Sequence, residues 1–292
     1  QSTFQLQRHA ISSDLNTPAH FQVQDLGSRQ TGSNGLKTLT IQTATSLLAF
    51  LLSIQTHAVS AQSLPGRPVA LELALMVDVS ASVNDAEFRL QTDGLAAAVT
   101  NRDVLAAISK FAARGLAVCI VQWSNQDNQQ LAVSWRLIAS RADAFEFAAA
   151  IRNMSRSGDR GHTAVGDALL FGLKELETNQ FSGRRRVIDL SGDGRANDGY
   201  PLRLARQKVI DKGVTINGLA ILNELPLLEQ YYQRYLIGGE DAFVIAAQDY
   251  DDFTRAMTEK LLREIRSLPL ARNKPPERQI KNAQMEKGAA QW

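Results

Sequence analysis

The chain has 292 residues, enough for one large domain with tails or for two small domains. Hydrophobic residues make up 44%, which supports a sizeable core, and a formal charge of +2 gives no electrostatic reason to expect a nucleic-acid partner. One cysteine, Cys119, excludes an internal disulfide or a cysteine-rich zinc site; inside the apolar run Leu116 to Val121 it reads as a buried, inert thiol.

Residues 1–36 are polar and without period, and read as disordered or as foreign to the mature protein. Residues 37–61 read as a secretory signal. Ser46 to Ile54 is a short apolar core, and the small residues Val59 and Ala61 suit cleavage after Ala61. The alternative is an uncleaved membrane anchor through residues 41–61, although the apolar core is shorter than the roughly 20 residues a span needs. The signal reading implies a periplasmic or secreted protein. Pro65 and Pro68 bracket a linker over 62–69.

From residue 70 apolar runs alternate with helical periods. Leu71 to Val79 is nearly continuous in hydrophobicity, the pattern of a parallel strand buried on both faces. Further strands are expected over Leu116 to Trp123, Gln130 to Leu137, Arg186 to Leu190, Thr215 to Ile221 and Ala242 to Ala246. Helices are expected over Asp85 to Val99, Arg102 to Phe111, Ala142 to Met154, Val165 to Glu177, Pro201 to Lys212, Pro226 to Leu236 and Tyr250 to Ile265. Asn84 or Asp85 is placed to cap the first helix and Asp249 the last; Pro201 suits a first turn and Gly213 a position just past a helix. The short polar link Ser124 to Gln129 predicts a hairpin, hence one antiparallel edge strand. The alternation predicts an α/β fold over residues 70–266: a doubly wound, mostly parallel six-stranded sheet with helices on both faces. Residues 267–292, charged and proline-rich, read as a C-terminal tail.

The first strand ends in Asp78-Val79-Ser80-Ala81-Ser82. One carboxylate and two hydroxyls at alternate positions suit a hard divalent cation. In an open parallel sheet ligands bind beyond the carboxyl ends of the strands, where strand order reverses. Two other loops offer matching groups there. Gly158 to Thr163 leads into a helix and presents the Thr163 hydroxyl, and Asp193 follows the fourth strand between Gly192 and Gly194. Two carboxylates, three hydroxyls and water make a six-oxygen shell suited to Mg²⁺ or Mn²⁺. Capping of the first helix by Asp78 and the serines is the simpler reading of that segment alone.

Asp78-x-Ser80-x-Ser82, then Thr163, then Asp193, in this order and spacing over residues 68 to 266, resembles the metal-ion-dependent adhesion site (MIDAS) of the von Willebrand factor A (vWA) domain. Val121 to Ser124 and Ile188 to Gly194 further resemble an uncharacterised bacterial branch of that superfamily, domain of unknown function 1194. The resemblance implies that Ser80, Ser82 and Thr163 bind the metal through their hydroxyls and that Asp78 and Asp193 bind it directly or through water. An acidic side chain of a protein partner would complete the shell. Where the family usually has Thr-Asp-Gly this chain has Gly192-Asp193-Gly194, which predicts a looser turn; Asp189 is the reserve carboxylate, but inside the strand it reads rather as buried or as a support behind the ligands.

Other residues have plainer readings. His162 is a loop histidine without an assigned partner. Arg195, Asn197 and Asp198 shape the rim of the site or only a polar turn. Trp123 and Trp135 serve packing, and Arg184-Arg185-Arg186 is a solvated face. The expected function is a non-enzymatic, extracytoplasmic binding module. The alternative is a metal-dependent hydrolase or phosphotransferase with Asp78 as nucleophile, but Ser80 stands where such enzymes carry a second aspartate. Neither Gly-x-Ser-x-Gly nor Gly-x-Gly-x-x-Gly after the first strand is present.

Overall fold

A computed structural model describes residues 66–158 and 161–268. The upstream segment 1–36, the signal segment 37–61 and the tail from 269 lie outside the described residues, as do Asp159 and Arg160. The elements run β1 (Arg67–Asp78), α1 (Asp85–Val99), α2 (Arg102–Ser109), β2 (Leu116–Trp123), β3 (Gln129–Ile138), α3 (Arg141–Arg152), α4 (Val165–Thr178), β4 (Phe181–Gly192), α5 (Leu202–Asp211) and β5 (Thr215–Ile221). Then come α6 (Leu228–Tyr231), which continues as a π-helical turn (Tyr232–Leu236), β6 (Val244–Ala247) and α7 (Phe253–Arg266).

The six strands lie in the order β3-β2-β1-β4-β5-β6. Only β3 runs antiparallel to its neighbour β2, as the short polar link requires; the other pairs are parallel. β1 occupies the centre, buried from its third residue to its last. Its side chains alternate between two cores, which is why it reads as continuously apolar. Leu71, Leu73, Leu75 and Val77 meet α1, α2, α3 and α7 on one face. Ala74 and Met76 meet α4, α5 and the π turn on the other. Cys119 lies in the second core, where burial pushes its thiol up and keeps it protonated.

Local chemistry explains the boundaries. Asn84 forms a capping box on α1: its Oδ1 accepts the N–H groups of Ala86 and Glu87, and Glu87 accepts the Asn84 N–H. Gly213, at φ 68°, ends α5 in the left-handed region. Other expectations shift. β1 begins at Arg67, inside the expected linker, and β4 extends back to Phe181 because the two pair along that length. Pro201 is the N-cap of α5 rather than its first residue. The last helix starts at Phe253; Asp249 accepts the Asp252 N–H and so caps the turn before it. The expected helix over Pro226 to Leu236 splits into α6 and the π turn. Of the three arginines, Arg185 is not a solvated face: it turns inward to Glu264 at 3.6 Å, with 13% of its side chain exposed.

Candidate metal centre

β1 and β4 are adjacent and parallel, and strand order reverses between them, β1 leading out to β2 and β3 and β4 to β5 and β6. Their carboxyl ends therefore open on the crevice where such sheets bind ligands. Asp78 closes β1 and Gly192 closes β4.

The chain turns at Asp78 because Oδ1 accepts the Ser80 backbone N–H at 2.7 Å, replacing a strand bond with a local one. The Ser80 and Ser82 hydroxyls lie 3.2 Å apart, and Ser82 donates to Asp193 Oδ1 at 2.7 Å. Four of the five expected residues thus form one hydrogen-bonded chain across two strands. Thr163 is 6% exposed and borders the same turn, its Oγ1 lying 3.2 Å from where a Cβ on Gly194 would stand.

A backbone scaffold holds the three loops. The Ala81 N–H donates to the Gly161 carbonyl at 2.9 Å, tying the serine loop to the threonine loop. The Arg156 guanidinium donates to the carbonyls of Val79, Ser80 and Val83 at 2.6 to 3.0 Å. Asn197 clamps Thr163 from both sides: its Oδ1 accepts the Thr163 N–H, and its own N–H donates to the Thr163 carbonyl. Asn197 therefore acts on the site, whereas Asp198 accepts the Gln126 N–H at the rim.

Electrostatics make the centre a place for a cation. Asp78 is fully buried, and its Oδ2 has no hydrogen-bond partner. Burial, then the neighbouring Asp193 carboxylate, push the Asp78 carboxyl up to about 7, opposed by the Ser80 hydrogen bonds and by Arg156. Oxygen donors of low charge, an orphan carboxylate oxygen and two carboxylates in mutual repulsion fit a hard dication, which would relieve all of this at once. Among the described residues no cluster of three or more histidine, cysteine, aspartate or glutamate side chains could hold a metal, so the hydroxyls are indispensable to such a site.

The expected loosening at Gly192 is not what the structure has. A Cβ there would stand 2.8 Å from both Asp78 Oδ2 and the Tyr232 hydroxyl, and 3.4 Å from Trp123. Tyr232, fully buried on the π turn, occupies the space a threonine would need and donates to the Gly194 carbonyl at 3.3 Å. Asp193 is in turn held at both oxygens, by Ser82 and by the Tyr250 hydroxyl at 2.8 Å. Burial and then Asp193 push the Tyr250 hydroxyl up, so it is a lasting donor. Asp189 is buried, as its place inside the strand implies, and meets Lys260 at 3.2 Å on the α7 side of the sheet. His162 is exposed beside Thr163, Arg195 stacks over Tyr231 at 5.4 Å, and Trp123 is buried beneath the site.

Tyr232, Tyr250 and Arg156 escaped the sequence reading. Tyr250 carried one usable signal, its place just past an expected strand and so at the carboxyl edge of the sheet.

The model of the family described as "Protein of unknown function (DUF1194)" matches residues 68–269. The chain belongs to that family. The fold of this DUF1194 protein is α/β, a mostly parallel six-stranded sheet with one antiparallel edge strand among the described residues. Comparison with curated proteins finds no match. Among solved structures, the PilB minor pilin of Streptococcus sanguinis has a TM-score of 0.53 at 12% identity, over 69% of this chain and 62% of that one. The vWF domain of the type V pili tip protein Mfa5 of Porphyromonas gingivalis gives 0.49 at 10%, over 72% and 99%. Proximal thread matrix protein 1 from the mussel byssus, in a structure with a zinc-occupied MIDAS motif, gives 0.45 at 17%, over 68% and 48%. The DUF1194 chain thus spans about half the length of the byssus protein structures it matches. No helix among its described residues is long and apolar enough to cross a membrane.

Proposed function

We propose that this DUF1194 protein is an extracytoplasmic, non-enzymatic binding module. It holds Mg²⁺ or Mn²⁺ on Asp78, Ser80, Ser82, Thr163 and Asp193 and uses the metal to grip an acidic group of a protein partner. The observation that carries the reading is the buried, partnerless Oδ2 of Asp78 facing a second carboxylate and a line of hydroxyls. An all-oxygen donor set favours Mg²⁺ or Mn²⁺ over zinc, which prefers nitrogen and sulfur. Five protein oxygens leave the sixth position of an octahedral shell, otherwise held by water, for one oxygen of the partner's acidic group. The assignment to the periplasm or to secretion rests on the signal-like segment 37–61.

Thermal melting with and without Mg²⁺ or Mn²⁺ tests the site. Metal at about 100 times its Kd should stabilise the fold by about 2.7 kcal/mol. Asp78→Ala should abolish the response; an equal response in that variant would refute the assigned ligands. Grip on an acidic group is tested by metal-dependent binding of an aspartate-containing peptide against its asparagine counterpart. Turnover of a phosphate or ester substrate that requires Asp78 would instead establish the hydrolase reading.

A further inference from the structure

On the α7 side of the sheet, away from the metal centre, lies a second charged cluster. Asp189 on β4 sits directly across from Asn217 on β5. From α7, and one helical turn apart, Lys260 reaches Asp189 and Glu264 reaches Asn217. Lys260, Glu264 and Asn217 are fully buried and Asp189 is 1% exposed. Lys260 Nζ approaches Asp189 Oδ1 at 3.2 Å, yet neither the nitrogen nor either carboxylate oxygen finds an aligned hydrogen bond. The Phe243 ring covers Nζ at 4.7 Å. Asn217 orients Glu264, donating to its Oε1 while its own Oδ1 takes the Phe243 N–H at 2.8 Å.

A fully desolvated lysine–aspartate pair is a poor way to hold a helix to a sheet. The cost of stripping water from both charges rivals their attraction, and here no further hydrogen bonds make up the difference. Passage of one proton from Nζ to the carboxylate 3.2 Å away would leave an amine against a carboxylic acid with no change in total charge. Two further cations lie close by, Arg185 at 3.6 Å from Glu264 and Arg263 at 4.0 Å over the Phe243 ring. A neutral lysine amine is a nucleophile, and a carboxylic acid held against it, in a site closed to water, is its electrophile.

We propose that Lys260 and Asp189 join in an intramolecular amide bond, with Glu264 as the proton-carrying group. Lys260 Nζ attacks Asp189 Cγ and the C–N bond forms. The protonated Glu264 carboxyl gives its proton to a departing carboxyl oxygen and recovers one from the nitrogen. The C–O bond breaks and one water leaves. Reactants and products balance as acid plus amine to amide plus water, with no oxidant or cofactor. Burial pushes Glu264 up to about 7, so a large fraction is protonated near neutrality. The product is neutral, which removes both buried charges and ties α7 to the middle of the sheet.

Mass spectrometry of the purified full-length chain tests the bond. Trypsin cuts after Arg186 and Arg195, and after Arg255 and Arg263, but not after an acylated Lys260. The linked form therefore yields peptides 187–195 and 256–263 joined, lighter than their sum by one water. Recovery of 187–195 and 256–260 only as separate, unmodified peptides would overturn the proposal. Asp189→Ala should give an intact mass with no water lost. Glu264→Gln, with its fold checked by circular dichroism, should lose most of the linked product. Equally complete linkage in that variant would overturn the role of Glu264.

Discussion

The Tyr250 hydroxyl donates to Oδ2 of Asp193 at 2.8 Å, while Ser82 holds the other oxygen of the same carboxylate. One donor comes from the end of β1 and the other from the loop after β6, so the orientation of Asp193 depends on both halves of the sheet. Tyr250→Phe keeps the ring in its core and removes only the donor. Outer partners of metal-binding carboxylates are typically worth about 10–100-fold in affinity. We expect a loss of that order in Mg²⁺ affinity, read by calorimetry, with a fold that still melts cooperatively.

Gly192→Thr would introduce the residue usual at this place in the vWA motif that the sequence resembles, and should destabilise this fold. The new Cβ would meet Asp78 Oδ2 and the Tyr232 hydroxyl at 2.8 Å. Overpacking of this kind costs about 1–3 kcal/mol. Combined with Tyr232→Phe, which frees part of that space, the penalty should fall below the sum of the two single changes in urea unfolding. Strict additivity would show that the clash lies elsewhere.

Arg156 binds three carbonyls of the loop that carries Ser80 and Ser82. Hydrogen bonds to a charged donor contribute about 1.5–3 kcal/mol. Arg156→Ala should therefore lower stability by about 2 kcal/mol or more and weaken the metal response. Arg156→Lys, which cannot span several acceptors with a planar fork, should recover only part of either. Paired urea and Mg²⁺ titrations of the two variants read both effects.

Helix α3 supplies a pH-dependent term that can be separated from the metal centre. Asp143 accepts the N–H groups of Ala139 and Ser140 at 2.9 and 2.8 Å, and these bonds, the Ala139 one foremost, hold its carboxyl below the usual range. A lowered folded value means stability that is present above the ordinary carboxylate range and is lost as pH falls through the folded value. Asp143→Asn should flatten the acid limb of the stability profile and leave the neutral range nearly level. An unchanged acid limb would remove Asp143 as its source.

What could be read in the sequence was what local pattern controls. β1 is legible because both its faces are buried, and the hairpin because Ser124 to Gln129 is too short for a crossover. Asp78, Ser80, Ser82 and Asp193 were legible because strand ends in such a sheet converge by topology. Tyr232 was not. It enters the site from a π turn whose extra residue per turn no hydrophobic period announces. Gly192 therefore looked like a defect of the turn, when it is the space left for a tyrosine from forty residues on. Arg185 was misread for a similar reason: its acidic partner, Glu264, lies on the last helix.

β1 enters the sheet at Arg67, at the edge opposite the candidate metal centre, and ends at Asp78, with β2 and β4 bonded along its two sides. A tug on a metal anchored at Asp78 would run along the axis of the central strand. With Asp193 beyond β4 as a second ligand, the load would be shared by two adjacent parallel strands, and their outer ladders, to β2 and β5, would have to shear instead of opening one rung at a time.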